Sequence, residues 1–291
     1  MSTPTKTSHL MDRKVVALSA GDIAYAETGE GPTALFVHGV LVNADLWRHA
    51  VVQTSDLRRC VALDLPGHGA STLDAGADAS LGGLAALLEE FCAALDLGPV
   101  DLVANDTGGA VAQVFAVTHP ERIRTLTLTN CDVYDNFPPA AFAPLVELAK
   151  QGEFGPMVAA MAGDLAVARS EIGFAQGYQR PEDLSDELLH SYLDPFVVDQ
   201  GRALERILSE ASADELVAIE PLLAKFRAPT QVVWGTGDLF FEPFWADRLQ
   251  SMIPSVERVT QLDGAMLFFP DERADELVPL LRSFWQAHLS W

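Results

Sequence analysis

One aspartate stands where a run of β-forming residues meets a run of helix-forming residues. In the stretch VANDTGGAVAQ, residues 103–113, Asp106 is flanked by small residues at the second position on each side, Ala104 and Gly108. This spacing is typical of a nucleophile elbow, a tight strand-to-helix turn that lifts one side chain off a sheet. An aspartate at such a turn could attack an electrophilic carbon, or it could simply cap the helix that follows. By itself the stretch leaves both interpretations open.

The residues before and after Asp106 predict alternating strands and helices. Residues 80–98 place apolar side chains on one helical face, with Gly98 expected at the C-cap. An opening hairpin is expected to turn at Gly21 and Asp22. The strands predicted for this half are residues 14–20, 22–28, 33–39, a segment that ends near residue 64, residues 99–104 and residues 123–130.

The pattern changes at about residue 132, where strand signals cease for some ninety residues. Alternation resumes with segments predicted as strand, helix, strand and helix at residues 230–235, 243–253, 256–262 and 274–289. A helical block inserted into an α/β fold is expected to lie over the carboxyl ends of the strands, where such sheets bind ligands. We therefore predict a mostly parallel central sheet flanked by helices, with a core of residues 1–131 and 222–291 and a helical lid of residues 132–221.

The composition excludes several classes of function. The 291 residues carry a formal net charge of −22, which repels nucleic acids and anionic membrane surfaces. The three cysteines, Cys60, Cys92 and Cys131, lack metal-ligand spacing and indicate free thiols in a reducing compartment. The N-terminal segment lacks the apolar core of a signal peptide. We expect a cytoplasmic monomer or homodimer without metal or cofactor, whose partner is a small apolar organic substrate rather than a nucleic acid or a membrane.

Four motifs resemble those of the α/β-hydrolase fold superfamily, in particular its haloalkane dehalogenase and epoxide hydrolase branch. FVHGV at residues 36–40 matches the His-Gly motif after the third strand, and LDLPGHGAS at residues 63–71 matches the pattern D-x-P-G-x-G-x-S. NDTGG at residues 105–109 matches the elbow with an aspartate nucleophile. WGTGD at residues 234–238 matches the strand-seven motif that carries the acid of the catalytic triad.

The resemblance implies a chemistry for each of these positions. Asp106 would displace a halide or open an epoxide at a saturated carbon, giving an alkyl-enzyme ester that water then cleaves. The backbone N–H groups of Val40 and Thr107 would form the oxyanion hole. Asp238 would be the triad acid, and Asp132, after the sixth strand, stands where some dehalogenases place that acid.

The histidine base of the family is missing. The segment after the last strand reads DGAMLFFPDE, residues 263–272, and Leu267 occupies the position of the base. His190 in the predicted lid is the first alternative, while His38 in the His-Gly motif is usually a structural residue. Carboxylates with pKa values near 4 are weak bases at neutral pH. We therefore expect Asp106 to be alkylated normally and the resulting ester to break down slowly.

Residue type and position nominate seven side chains for the substrate pocket. Lid tyrosines act as acids toward the epoxide oxygen in epoxide hydrolases, and apolar residues near the elbow indicate a hydrophobic ligand. The candidates are His38, Trp47, Tyr178, His190, Tyr192, Phe240 and Leu267. A halide site is incomplete by resemblance, because Thr107 and Val40 replace the tryptophan and asparagine that usually bind the halide.

Three hypotheses about function follow. The first is a hydrolase of the epoxide hydrolase or haloalkane dehalogenase type that works through an ester of Asp106. The second is a non-hydrolytic lyase, isomerase or cyclase in which Asp106 acts only as a general acid or base, so that no ester-cleaving histidine is needed. The third is a degenerate hydrolase that binds a ligand without turnover. A covalent adduct, turnover without an adduct, or binding alone would distinguish them.

Overall fold

A single eight-stranded sheet runs through the computed structural model, which describes residues 10–289. The spatial order of the strands is β1-β2-β4-β3-β5-β6-β7-β8; β2 is antiparallel to both neighbours and every other pair is parallel. This confirms the predicted α/β-hydrolase architecture. The strands are β1 Lys14–Leu18, β2 Gly21–Thr28, β3 Thr33–Val37, β4 Arg59–Leu63, β5 Val100–Asp106, β6 Ile123–Cys131, β7 Thr230–Gly235 and β8 Val256–Leu262.

The central strands are buried on both faces, as expected where helices cover a parallel sheet. Every residue of β3, β5 and β7 is buried, whereas β8 at the edge is mostly half-exposed. Within the described residues the helices are α1 Arg48–Thr54, α2 Leu81–Ala94, α3 Thr107–Thr118, α4 Ala143–Lys150, α5 Phe154–Gly163, α6 Leu165–Ala168, α7 Asp186–Val198, α8 Arg202–Glu210, α9 Ala213–Ala218, α10 Glu220–Leu223, α11 Phe244–Met252, α12 Phe269–Glu272 and α13 Ala274–Ala287.

Two turns differ from the sequence prediction. The first hairpin turns at residues 19–20, and Gly21 is already the first residue of β2, with a φ of 134° that suits glycine. Helix α2 ends at Ala94 rather than near Gly98, because Asp96 takes the left-handed conformation with a φ of 50°. The N–H groups of residues 96 and 97 then bond back to the carbonyls of residues 93 and 92, the hydrogen bonding of a Schellman motif.

The segment between β6 and β7, all of it within the described residues, forms α4 to α10 and short 3₁₀ turns but no strand. Helix α5 packs against α7, and α4 packs against α8. The lid boundaries at residues 132 and 221 stay a prediction. Among residues 10–289 no helix has both the length and the apolar character that crossing a membrane requires.

Candidate active site

Asp106 is the last residue of β5 and immediately precedes α3. Its backbone lies at φ 56° and ψ −135°, a strained conformation for a residue other than glycine. Asp106 occupies the N-cap position of α3, but its side chain makes no capping hydrogen bond there, which counts against helix capping as its role. Gly39 and Gly108 allow the turn, since a methyl group at Gly39 would overlap the Asp106 side chain and one at Gly108 would overlap the His38 carbonyl.

We predict that Gly108→Ala lowers the free energy of unfolding by about 1–3 kcal/mol, the usual cost of overpacking a tight interior. The added methyl would meet backbone carbonyl oxygens of β3 and His38, which cannot rotate away. Gly98→Ala is the matched control, because no atom lies within 4 Å of a methyl group added there. Urea denaturation of the three proteins measures the difference, and equal stabilities would contradict the tight packing of the elbow.

Two backbone N–H groups face the Asp106 carboxyl group. The N–H of Val40 donates to Oδ2 at 2.8 Å, and the N–H of Thr107 also acts on the carboxyl group. Burial raises the pKa of Asp106 to about 7, although the Val40 hydrogen bond opposes the shift, and the nearby Asp238 carboxylate adds to it. Near neutral pH the group therefore exists in both its charged and neutral forms.

An apolar cavity of about 70 Å³ opens beside Asp106. Its polar side chains belong to Asp106, Thr107, Asp132 and Gln176. The strands contribute the elbow end of this cavity, and the segment between β6 and β7 contributes most of the apolar wall. The remaining lining residues are Val40, Leu41, Phe137, Pro138, Pro139, Phe142, Leu145, Met157, Met161, Ile172, Gly173, Phe174, Gly177, Leu208, Phe240, Phe241, Leu267 and Phe268.

Asp132 is a second carboxyl group on the cavity wall. It follows Cys131, the residue of β6 that pairs in register with Asp106. Asp132 is only 1% exposed, and neither of its oxygens has a hydrogen-bond partner among the described residues, although the Thr107 hydroxyl lies close enough to lower its pKa. Burial raises the pKa of Asp132 well above its usual range, and the Asp106 carboxylate raises it further.

Asp238 is buried but does not line the cavity. Its Oδ1 accepts the N–H groups of Phe240 and Phe241 at 2.8 and 3.4 Å, and its Oδ2 accepts the Asn130 side-chain amide at 2.7 Å. Burial raises its pKa to about 7, and these donors oppose that rise. These hydrogen bonds fix the Asp238 carboxyl group close enough to Asp106 to affect its pKa, and the role of Asp238 as triad acid stays a prediction.

The raised pKa of Asp106 predicts how stability depends on pH. A pKa of about 7 in the folded chain lies above the value of about 3.9 in an unfolded chain, so the folded protein binds a proton that the unfolded chain releases. The stabilising contribution is complete below about pH 4 and is lost as the pH rises to about 7. We expect Asp106→Asn to gain stability relative to the parent over this window, by at most about 1.4 kcal/mol per pH unit.

Chemical denaturation from pH 4 to pH 8 measures this difference. Asp247→Asn on α11 is the matched control, because Asp247 is exposed. A stability difference between Asp106→Asn and the parent that stays constant with pH would contradict the raised pKa.

Two of the nominated pocket residues lie in the core instead. His38 is fully buried; its Nδ1 bonds to the Gly39 carbonyl at 2.7 Å, and its Nε2 accepts the Leu65 N–H at 2.8 Å. Burial holds the pKa of His38 well below its usual range, and both ring nitrogens are occupied by structural hydrogen bonds. Trp47 is also fully buried and packs against Phe36, away from the cavity.

Three nominated lid residues also lie outside the cavity lining. His190 is half-exposed on α7, where its Nδ1 lies 3.0 Å from Asp194 Oδ1. The hydroxyl groups of Tyr178 and Tyr192 lie 3.3 Å apart, and Tyr178 donates to Asp271 Oδ2 at 3.1 Å. The tyrosines therefore face a buried carboxyl group on α12 rather than the substrate cavity.

The structure does bring together Asp106, Val40, Thr107, Asp132 and Leu267, and Phe240 lines the same cavity. Sequence reasoning missed most of the cavity wall and also the polar cluster at Asp271, whose Oδ1 lies 2.6 Å from Arg48. No motif marks these residues, and only a clustering of apolar and aromatic residues after β6 could have pointed to the wall.

Comparison with known proteins agrees with this architecture. Residues 32–272 match the family model described as alpha/beta hydrolase fold. Haloalkane dehalogenase 2 of Mycobacterium tuberculosis is 26% identical over 290 residues, which cover 94% of this chain and 95% of that protein. Human monoacylglycerol lipase ABHD6 is 26% identical over 245 residues, 79% of this chain and 68% of that protein.

Solved structures resemble the chain over nearly its whole length. The match to VrEH1, an epoxide hydrolase from Vigna radiata, has a TM-score of 0.79 at 19% identity. It covers 95% of this chain and 98% of the VrEH1 chain. The match to the epoxide hydrolase CorEH has a TM-score of 0.78 at 17% identity and covers 95% of this chain and 99% of the CorEH chain. At these identities the likeness establishes the fold alone.

Proposed function

The chain belongs to the alpha/beta hydrolase fold family, and on that premise we propose that it hydrolyses a small apolar epoxide through an ester of Asp106. The observation that carries the proposal is the position of the Asp106 carboxyl group. One of its oxygens is held by the Val40 N–H at 2.8 Å, at a strained elbow that opens into an apolar cavity. Such a carboxylate is poorly solvated and pre-oriented, which favours attack on carbon.

The same backbone donors suit both halves of the reaction. In the first half, the free oxygen of Asp106 bonds to a ring carbon and the carbon–oxygen bond of the epoxide breaks. In the second half, water adds to the ester carbonyl, and the N–H groups of Val40 and Thr107 stabilise the negative charge on the carbonyl oxygen. The alkyl–oxygen fragment then leaves as the diol, and Asp106 is restored with one oxygen taken from water.

The cavity wall favours an epoxide over an alkyl halide. Within the described residues that line it, no tryptophan indole or asparagine amide is present to bind a departing halide ion. A halide leaving into apolar surroundings would be an unpaired buried charge, which is costly. An epoxide oxygen stays attached to the product and needs only a proton, and the cavity contains a second carboxyl group, Asp132.

A second candidate is a non-hydrolytic isomerase or lyase that uses these two carboxyl groups as acid and base. The observation that favours it is Leu267, a side chain without basic groups on the cavity wall beside Asp106. An enzyme that never forms an ester has no need of a base to cleave one. This candidate predicts turnover with no covalent adduct at any time.

Rapid-quench mass spectrometry of the protein with a panel of small 1,2-epoxides tests the proposal. The expected result is a transient increase equal to the mass of the epoxide, located on the peptide that contains Asp106, followed by release of the diol. Isomerised product without an adduct would select the second candidate. If no epoxide of the panel gives an adduct or a product, both candidate functions are overturned.

A further inference from the structure

Opening an epoxide requires a proton for the departing ring oxygen, and the described cavity offers few sources of one. Its polar side chains besides Asp106 are Thr107, Asp132 and Gln176. An alcohol is a very weak acid, and the amide of Gln176 already donates to the Glu171 carbonyl at 2.7 Å. Among these side chains only Asp132 is a carboxylic acid.

The tyrosines of the lid are held elsewhere. Tyr178 bonds to Asp271, and the hydroxyl of Tyr192 lies 3.3 Å from that of Tyr178. Asp271 in turn pairs with Arg48 at 2.6 Å, and neither residue lines the cavity. Phe268 lines the cavity and packs against Tyr178, with ring centroids 5.1 Å apart.

Asp132 lies where a proton donor would be needed. It follows the residue of β6 that pairs with Asp106, and neighbouring strands lie roughly 4.8 Å apart, so the two carboxyl groups border the same small space. Both Asp132 oxygens are buried and, apart from the nearby Thr107 hydroxyl, lack a hydrogen-bond partner among residues 10–289, and Asp132 lines a cavity of about 70 Å³. A buried carboxyl group that lacks partners can place its proton on a bound ligand.

We propose that Asp132 donates the proton to the epoxide oxygen and later accepts one from the hydrolytic water. This inference rests on the proposed function and assigns the acid and the base of that reaction to one group. Asp132 would then act as the acid in place of the predicted lid tyrosines, and as the base in place of the histidine that is absent at position 267.

With Asp106 as nucleophile and Asp132 as acid and base, every proton that the reaction uses is returned by its end. As Asp106 bonds to the ring carbon, the ring oxygen takes the Asp132 proton, which leaves a hydroxyalkyl ester and an Asp132 carboxylate. Water then adds to the ester carbonyl and gives a proton to Asp132. When the tetrahedral intermediate collapses, the bond between the carbonyl carbon and the alkyl oxygen breaks, and the departing alkoxide takes the proton of the hydroxyl group that water added, so the diol is released with Asp106 ionised and Asp132 protonated again.

A substrate whose leaving group needs no proton should behave differently. With 1-bromobutane, bromide must leave without a halide site, so Asp106 should be labelled slowly, and Asp132 keeps its proton and cannot activate water. The butyl ester should therefore persist, and its hydrolysis should accelerate as the pH rises. With 1,2-epoxybutane, ring opening itself produces the Asp132 carboxylate, and the ester should turn over.

Asp132→Asn tested against this pair of substrates decides the matter, with Asp135→Asn, the same substitution at an exposed position, as the control and circular dichroism as the check on folding. We expect labelling of Asp106 by 1,2-epoxybutane to slow about 100-fold or more, the usual contribution of a general acid. Labelling by 1-bromobutane should stay within a few-fold of the parent.

Each other outcome overturns the inference in a recognisable way. Normal labelling of Asp132→Asn by the epoxide would remove Asp132 as the proton donor and leave the proposed function intact. Loss of both labels in this variant alone would give Asp132 a structural role instead. Absence of labelling of the parent protein by 1,2-epoxybutane would overturn the proposed function and this inference with it.

Discussion

Asp106→Asn is expected to abolish both the covalent adduct and the release of diol, with a fall in turnover of roughly 10⁴-fold or more, as for the loss of other enzymatic nucleophiles. The amide is neutral and its lone pair is delocalised, so it attacks carbon very weakly. The substitution keeps the shape of the side chain, and asparagine tolerates the positive φ of 56° at this position. Rapid-quench mass spectrometry and diol analysis with 1,2-epoxybutane measure the loss.

The control for this variant is Asp247→Asn, which makes the same change of charge at an exposed position of α11 and should leave turnover unaltered. Turnover of Asp106→Asn above about a tenth of the parent rate would show that another group performs the attack.

Leu267→His is expected to speed the hydrolysis of the stalled butyl ester by about 10²–10⁴-fold, the contribution that a well-placed base makes. Leu267 lines the cavity together with Asp106, and its carbonyl accepts the Asn105 amide at 3.1 Å, which holds the backbone in place. An imidazole with a pKa near 6.5 is largely neutral at pH 7.5 and can accept a proton from water. The decay of the butyl adduct after removal of 1-bromobutane, followed by intact mass, measures the rate.

Leu267→Met is the matched control, because it fills a similar volume without adding a base. Equal decay of the butyl ester in the methionine and histidine variants would show that position 267 cannot deliver water to the ester.

Local sequence patterns predicted the elements that hold the site. The bounds of β7 and β8 agree with the prediction, because short apolar or alternating runs flanked by turn residues specify strands without long-range information. The elbow could be predicted in the same way, because the turn sterically requires the small residues that are spaced around Asp106. Chemistry that resides in a single turn can therefore be predicted from sequence.

The direction in which the lid side chains point could not be predicted. Tyr178 and Tyr192 lie in the segment predicted as a lid and are of the right residue type. Tyr178, however, donates to Asp271, which lies 93 positions later in the chain, and the Tyr192 hydroxyl lies against that of Tyr178. A helical pattern indicates which face of the helix a residue occupies, but it does not identify the hydrogen-bond partner of its hydroxyl group. The same limitation applies to Asp132, whose lack of hydrogen-bond partners within residues 10–289 follows from the packing of the whole cavity.

The most direct test of an ester at Asp106 is a single turnover of 1,2-epoxybutane in H₂¹⁸O with the enzyme in excess. If Asp106 attacks carbon, the new hydroxyl oxygen of the diol comes from the carboxyl group, so the diol contains only ¹⁶O and the peptide with Asp106 gains ¹⁸O. If the carboxyl groups merely activate water, the diol gains ¹⁸O in the first turnover and the peptide gains none, which would contradict the covalent mechanism.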